Sequence, residues 1–225
     1  MRGCTLLVLS LLAAPSLVQA ASFPCAKAST PTEKAICADP GLSTLDERLS
    51  AAYRAALNQL SGSSPEEGQA QTALKADQRA WLGERNACGG DQACLKAAQE
   101  RRLAVLSFHP APGSTSPVDA FAGVFEHKGV MTLAVLPLRN GQAAVSISGA
   151  EPTSGRWVCD FSGVGQVQGD GRLTVGTPDA DGNGLVIETR GKSGLEIPDN
   201  DANRAASTNW CGAGGSFVLP YRRKG

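Results

Sequence analysis

The cysteines are the residues whose type and spacing most directly indicate chemistry. The chain has seven. Cys4 lies in a leader segment, which leaves two close pairs in the first half and one distant pair in the second. An even number of cysteines in an exported chain is typical of a disulfide framework. We predict that each cysteine bonds within its own pair, as Cys25–Cys37, Cys88–Cys94 and Cys159–Cys211. A bond between Cys25 and Cys88 would contradict this local pairing.

The first twenty residues have the features of a secretory signal. Arg2 precedes an apolar run over residues 6–12, and Val18-Gln19-Ala20 supplies the small residue needed for cleavage. The residues before Cys25 do not resemble a lipoprotein cleavage box, and no later apolar stretch approaches the roughly 20 residues of a membrane helix. We therefore predict a signal peptide at 1–20, no membrane anchor, and a periplasmic or secreted protein.

Motifs for metal binding and catalysis are scarce. The sequence has only two histidines and no CxxC, HExxH, GxSxG or GxxxxGK pattern. Residues 179–184, DADGNG, match the first half of a calcium loop, but Arg190 occupies the position of its bidentate glutamate. We expect an acidic turn there. The sequence thus predicts no metal, no cofactor and no enzymatic activity.

The charge balance argues against a nucleic-acid partner. Lysine plus arginine and aspartate plus glutamate each number 21, and the basic residues are dispersed along the chain. Nucleic-acid binding usually needs a clustered basic surface.

The first half of the chain has helical signals. Thr30-Pro31-Thr32-Glu33 combines a cap, a proline at the first helical position and an acid in the first turn. Apolar residues then recur at three- and four-residue steps over 42–60. A third helix is expected from Ser64 to Arg85. The last is expected from Gln92 to about Leu106, burying Leu95, Ala98 and Leu103 or Leu106.

The composition changes near residue 109. A Pro/Ser/Gly stretch at 109–118 is predicted to be a linker between a helical domain at 21–108 and a β-rich domain at 119–225. Six or more short apolar runs, with a hairpin signal at Asn140-Gly141, indicate antiparallel strands. We expect residues 198–209 to be irregular and exposed. The predicted fold class is α+β, a disulfide-pinned small helical bundle followed by a small antiparallel β-barrel or sandwich.

Several residues at fixed spacings carry a resemblance to a known family. They include the opening CAKASTPTEKAIC and the later pair Cys88 and Cys94. On these residues the helical half resembles the LprI-type lysozyme inhibitor domain, although the family usually has tyrosine where this chain has Gln99. The ending CGAGGSFVLPYRR is similar to a β-rich domain that often follows it. The motif residues are Glu33, Asp46, Tyr53, Gln78, Trp81, Arg85 and Arg102.

The charged motif residues have two interpretations. Glu33, Asp46, Arg85 and Arg102 can satisfy one another through paired hydrogen bonds and so orient the helices. The alternative is contact with a partner. Tyr53 and Trp81 are predicted to be core residues from their helical spacing, the alternative being exposed anchors.

The resemblance implies a protein that binds and inhibits lysozyme or a related peptidoglycan hydrolase. A different function is an envelope module that binds peptidoglycan or another cell-wall enzyme, including immunity toward a rival's wall-degrading toxin. Lysozyme clefts hold two carboxylates, so an exposed serine, lysine or arginine is a suitable contact. The candidates, chosen because they are polar and near predicted turns, are Ser154, Arg156, Lys192 and Ser193.

Overall fold

A computed structural model of the protein describes residues 21–63 and 67–224. The predicted signal peptide, Cys4 and the predicted helix start at Ser64 lie outside the described residues. The described part forms a helical layer beside a closed antiparallel β-barrel. The predicted α+β class, with a disulfide-pinned helical half and a β-barrel, is therefore confirmed.

Within the described residues, four α-helices form the first half. After a short 3-10 turn at Cys25–Lys27 come α1 (Pro31–Ala38), α2 (Pro40–Leu60), α3 (Gln69–Ala87) and α4 (Gln92–Leu106). The Asp39-Pro40 step ends α1 and starts α2, because the Asp39 carboxylate accepts from the N–H groups of Gly41 (2.7 Å) and Leu42 (3.0 Å). Residues 25 and 37 are disulfide-bonded, which fixes the 3-10 turn to α1.

Two details of the helices differ from expectation. Helix α3 begins at Gln69, after the non-helical Glu67 and Gly68. A Cβ atom at Gly68 would lie 2.4 Å from the Ser162 hydroxyl oxygen, so the segment packs too closely on the barrel for a larger residue. In α4 the half-buried Ala98 is not a core residue, whereas of the two alternatives Leu103 and Leu106 it is Leu106 that is buried. The buried face instead includes Leu95, Gln99, Arg102, Val105 and Leu106.

Eight strands follow in a meander. They are β1 (Gly123–His127), β2 (Met131–Pro137), β3 (Gln142–Ala150), β4 (Val158–Val167), β5 (Leu173–Gly176), β6 (Gly184–Arg190), β7 (Gly194–Glu196) and β8 (Pro220–Arg223). Each strand pairs with the next, and β8 returns to β1. The barrel has no free first or last strand, which removes the edge problem of an open sheet.

The register places large apolar side chains inside the barrel. Leu133 lies opposite Phe125 on one side and Ile147 on the other, and Ile147 lies opposite Phe161. All four side chains are buried in one cluster. Glycines on β4 make room for them. A Cβ atom at Gly163 would lie 2.8 Å from a methyl carbon of Val175.

The expectation of an irregular, exposed segment at 198–209 is wrong. Residues Asp201–Trp210 form α5, between β7 and β8. Strand β4 has ten residues, whereas β5 has four and β7 has three. Part of the backbone of β4 and β6 therefore has no neighbouring strand, and α5 covers this gap. Only three residues of α5 are buried, Asn203, Ala206 and Ser207, and this narrow stripe looks polar in the sequence.

The helical layer and the barrel share a hydrophobic core. Strand β2 is buried on both faces, because its even-numbered residues point toward the helices while its odd-numbered residues point into the barrel. The shared cluster draws on α2, α3 and α4 and on the outer face of β2 and β3. Its barrel members Ala134, Leu136 and Ala144 are fully buried. The helices therefore cover one side of the barrel.

Candidate functional site

The charged motif residues lie in two ion pairs and a helix cap. Arg85 on α3 contacts Asp46 on α2, with 3.4 Å between Nη1 and Oδ1. Asp46 also accepts from the backbone N–H of Ser22 at 3.0 Å and from its hydroxyl at 2.5 Å. Asp46 therefore links α2 to both the start of the described chain and α3.

Arg102 forms the second pair, with Asp77, which is not among the predicted motif residues. Its Nη1 lies 2.5 Å from Oδ2 of Asp77, and its Nε donates to the Gln78 side chain at 2.8 Å. The side chains of Arg102 and Asp77 are only 1% and 9% exposed. Asp77, Trp81 and Arg85 follow one another at four-residue steps along α3, and this spacing is the signal by which Asp77 could have been found.

Glu33 does not join either pair. Its carboxylate accepts from the N–H groups of Ser29 (2.8 Å) and Thr30 (2.9 Å), while the Thr30 hydroxyl accepts from the N–H of Glu33. This is a capping box at the start of α1. The backbone hydrogen bonds lower the pKa of Glu33 to about 2. The structure thus places the four charged motif residues at three separate positions.

Trp81 lies close to both arginines. The guanidinium carbons of Arg85 and Arg102 are 5.4 and 5.8 Å from the centre of its ring, within the range of cation–π attraction. Burial lowers the pKa of both arginines, and the carboxylates of Asp46 and Asp77 act in the opposite direction. Trp81 itself is buried, and Tyr53 is half-buried against the shared core.

The same residues border a groove between α3 and α4. It has a volume of about 280 Å³, and its lining includes Trp81, Arg85 and Arg102 together with the bonded pair Cys88 and Cys94. The barrel contributes Arg139, whose Nε donates to Glu84 at 3.1 Å. Arg101 is a further lining residue. The motif residues Trp81, Arg85 and Arg102 thus meet in one arginine-rich groove.

Gln99 lies within the helical layer without hydrogen bonds. Its side chain is fully buried, and neither amide atom has a partner among the described residues. Buried polar atoms without partners cost stability. Replacing Gln99 with methionine, which has a similar volume, should therefore raise the free energy of unfolding by about 1 kcal/mol. Urea denaturation of both proteins measures this difference, and a clear loss of stability in Q99M would contradict it.

The four proposed partner-binding residues lie at two opposite ends of the barrel. In a meander, alternate connections return to the same end. Ser154 and Arg156 lie in the β3–β4 connection, whereas Lys192 and Ser193 lie in the β6–β7 turn. All four are exposed. The structure therefore does not bring them together as one site.

The β3–β4 connection is held by an internal carboxylate. Glu151 accepts from the N–H of Thr153 at 3.0 Å and from both the N–H and the hydroxyl of Ser154 at 2.5 Å. The Ser154 hydroxyl bond is the largest cause that lowers the pKa of Glu151, to about 2. Arg156, by contrast, makes no side-chain hydrogen bond or ion pair within the described chain, so its guanidinium faces solvent.

This arrangement predicts a pH-dependent effect of Glu151. The pKa of Glu151 is lower in the folded protein than in the unfolded chain, where it is about 4.3. The ionised carboxylate therefore stabilises the fold above about pH 4.3, and this stabilisation is lost as the pH falls toward the folded pKa. We expect Glu151→Gln to lower the melting temperature most at pH 6–7. The difference from the parent should shrink between about pH 4 and pH 2. A constant difference across that range would contradict the assignment.

The same end of the barrel exposes apolar side chains. Val158 and Trp210 are 48% and 42% exposed, and these two large apolar side chains flank the bonded pair Cys159 and Cys211. Trp157 is half-buried beside them. Trp210 is fixed by a 2.8 Å hydrogen bond from its indole to the carbonyl of Gly182. Exposed tryptophan and arginine on a rigid scaffold are typical of protein interfaces.

Two further findings concern metals and membranes. Among residues 21–63 and 67–224, no three or more His, Cys, Asp or Glu side chains are grouped so as to hold a metal ion. None of the helices in those ranges combines the length and the apolar character needed to cross a membrane.

Comparison with known proteins shows which family the helical half resembles. Residues 25–121 match the family model described as Lysozyme inhibitor LprI. The helical half is therefore similar to the LprI domain, as the resemblance predicted, and the match extends across the 3-10 turn that precedes β1.

The curated relatives have the same family name. Proteins named Lipoprotein LprI from Mycobacterium bovis and Mycobacterium tuberculosis are 33% identical to this chain over 100 residues. The matched stretch covers 43% of this chain and 46% of each relative, so the chain matches about half the length of these proteins. No solved structure matches the chain.

Proposed function

We propose that this protein is an exported, non-catalytic inhibitor that binds a lysozyme. The observation that carries the proposal is the match of residues 25–121 to the family described as a lysozyme inhibitor. The three disulfide bonds support a location in the periplasm or outside the cell, where thiols are oxidised.

We propose that the β3–β4 end of the barrel makes the contact. Arg156 is exposed there without an acidic partner in the described chain, and the cleft of a lysozyme contains two carboxylates. Val158 and Trp210 supply apolar area nearby, and the disulfide keeps the surface rigid, which lowers the entropy cost of binding. Because Lys192 lies at the opposite end, one lysozyme cleft cannot contact both residues.

A lysis assay tests both the proposed inhibition and the proposed contact at the β3–β4 end of the barrel. Purified cell walls are treated with an animal-type lysozyme in the presence of the full exported chain, of Arg156→Glu, or of the matched control Lys192→Glu. We expect the parent and K192E to inhibit equally and R156E to lose at least about tenfold in potency, because reversing a contact charge replaces attraction with repulsion. Equal inhibition by R156E would contradict the assigned end.

Absence of inhibition by the parent would contradict the proposed function itself. Sedimentation of the protein with purified peptidoglycan would then favour the alternative, an envelope module that binds the cell wall. A dedicated lysozyme inhibitor should remain in solution in that experiment.

A further inference from the structure

The groove between α3 and α4 combines apolar walls with cationic groups. Its apolar lining comes from Trp81, Ala98, Val105 and Ala111 and from the bonded pair Cys88 and Cys94. Its volume of about 280 Å³ suits a small molecule or a single side chain. The groove lies in the helical layer, apart from the barrel end to which we assign the lysozyme contact.

Most of the cations in this groove already have acidic partners. Arg85 pairs with Asp46, Arg102 pairs with Asp77, and Arg139 pairs with Glu84. Arg101 is exposed and has no hydrogen bond or ion pair from its side chain to any residue that the structure describes. It is therefore available to a ligand.

Arg102 gives a second, independent indication of a missing acceptor. Its side chain is buried, yet its Nη2 has no hydrogen-bond partner within residues 21–63 and 67–224. A guanidinium has five N–H donors, and a buried donor without an acceptor is costly. Arg101 and Arg102 are adjacent in the chain, and both line the groove.

We propose that this groove binds a small amphipathic carboxylate. The carboxylate faces Arg101 beside Arg102, because its two planar oxygens match the geometry of a guanidinium. The apolar part of the ligand packs against Ala98, Val105 and Ala111. Apolar walls with a few fixed polar groups are the usual composition of a small-molecule site. Ligand binding in this groove would be separate from lysozyme inhibition and would occur whether or not a lysozyme is bound.

N-acetyl-leucine is a suitable probe, and its methyl ester is a matched control without the charge. Each is titrated into the full exported chain while proton–nitrogen NMR spectra are recorded. We expect saturable shifts of the Trp81 indole and the Ala98 and Arg101 amides with the acid, and none with the ester. Arg101→Gln should weaken binding at least about fivefold. Lys96→Gln removes the same charge from the other side of α4 and should leave binding unchanged.

Four results would overturn this proposal. One is the absence of saturable shifts up to about 20 mM of the acid, a concentration well above the dissociation constant of a millimolar site. Another is equal binding of the ester, and the third is equal binding of acetate or inorganic phosphate, which lack the apolar part. An unchanged affinity in R101Q would also contradict it. Because no lysozyme is present, these outcomes are separate from those of the lysis assay.

Discussion

Replacing Asp77 with asparagine is expected to lower the free energy of unfolding by about 3 kcal/mol. The Asp77 carboxylate accepts from Nη1 of Arg102 at 2.5 Å and from the backbone N–H of Arg139 at 3.0 Å. Asparagine keeps the shape but removes the charge, so the buried guanidinium of Arg102 loses its counterion. The contact between α3 and the β2–β3 hairpin weakens as well. For a chain of this size, we expect the melting temperature to fall by about 6–12 °C.

The matched control for D77N is Glu84→Gln, also on α3. Glu84 pairs with Arg139, but its side chain is 62% exposed. Exposed ion pairs contribute less than about 1 kcal/mol, so E84Q should melt within a few degrees of the parent. Thermal unfolding followed by circular dichroism measures both variants. Equal losses in D77N and E84Q would mean that Asp77 does not compensate a buried charge.

The second large effect is expected at Asn203, whose side chain hydrogen-bonds to the backbone of β6 in place of a neighbouring strand. Its side-chain oxygen accepts from the N–H of Val186 at 2.8 Å, and its nitrogen donates to the carbonyls of Val186 (3.0 Å) and Pro198 (2.8 Å). In Asn203→Asp both donated bonds are lost, and a carboxylate faces two carbonyl oxygens in a fully buried position. We expect a loss of at least about 3 kcal/mol, from unmade hydrogen bonds and the burial of a charge.

A control for N203D is available on the same helix. Asn209 is exposed and makes one long contact, 3.5 Å, to the carbonyl of Gly182. Asn209→Asp makes the same chemical change and should cost less than about 1 kcal/mol. Urea denaturation at pH 7 measures both. If N203D were as stable as N209D, the assignment of Asn203 as the link between α5 and β6 would be wrong.

The elements with strong local signals could be predicted from the sequence. The capping box of Thr30 and Glu33 and the Asn140-Gly141 hairpin depend only on neighbouring residues, and the structure forms both. The three disulfide bonds in the structure are those expected from cysteine clustering. Such features need no knowledge of distant contacts.

Features that depend on distant contacts could not be predicted. The sequence does not indicate helix α5, because its burial is set by the gap between β4 and β6 and its buried Asn203 is polar. The four-residue spacing along α3 places Asp77 on the same face as Trp81 and Arg85, but it does not show that Asp77 pairs with Arg102 on another helix. The predicted ion network combined residues that the fold separates, since Glu33 caps its own helix.

The shared core changes how the two halves can be studied. Leu60, Leu74 and Leu106 of the helices belong to one buried cluster with Ala134, Leu136 and Ala144 of the barrel. Removing the barrel would expose these side chains to water, at a cost of about 25 cal/mol for each Å² of apolar surface. Point substitutions at exposed residues therefore test the proposed lysozyme contact better than a fragment covering residues 21–108.

The most direct test of the proposed function is calorimetric titration of an animal-type lysozyme into the full exported chain. The titration is repeated with the lysozyme cleft occupied by a trimer of N-acetylglucosamine. We predict saturable binding to the free enzyme and loss of that binding when the cleft is filled, because an inhibitor of this kind excludes substrate. Absence of binding to the free enzyme, or equal binding with the cleft filled, would contradict the account.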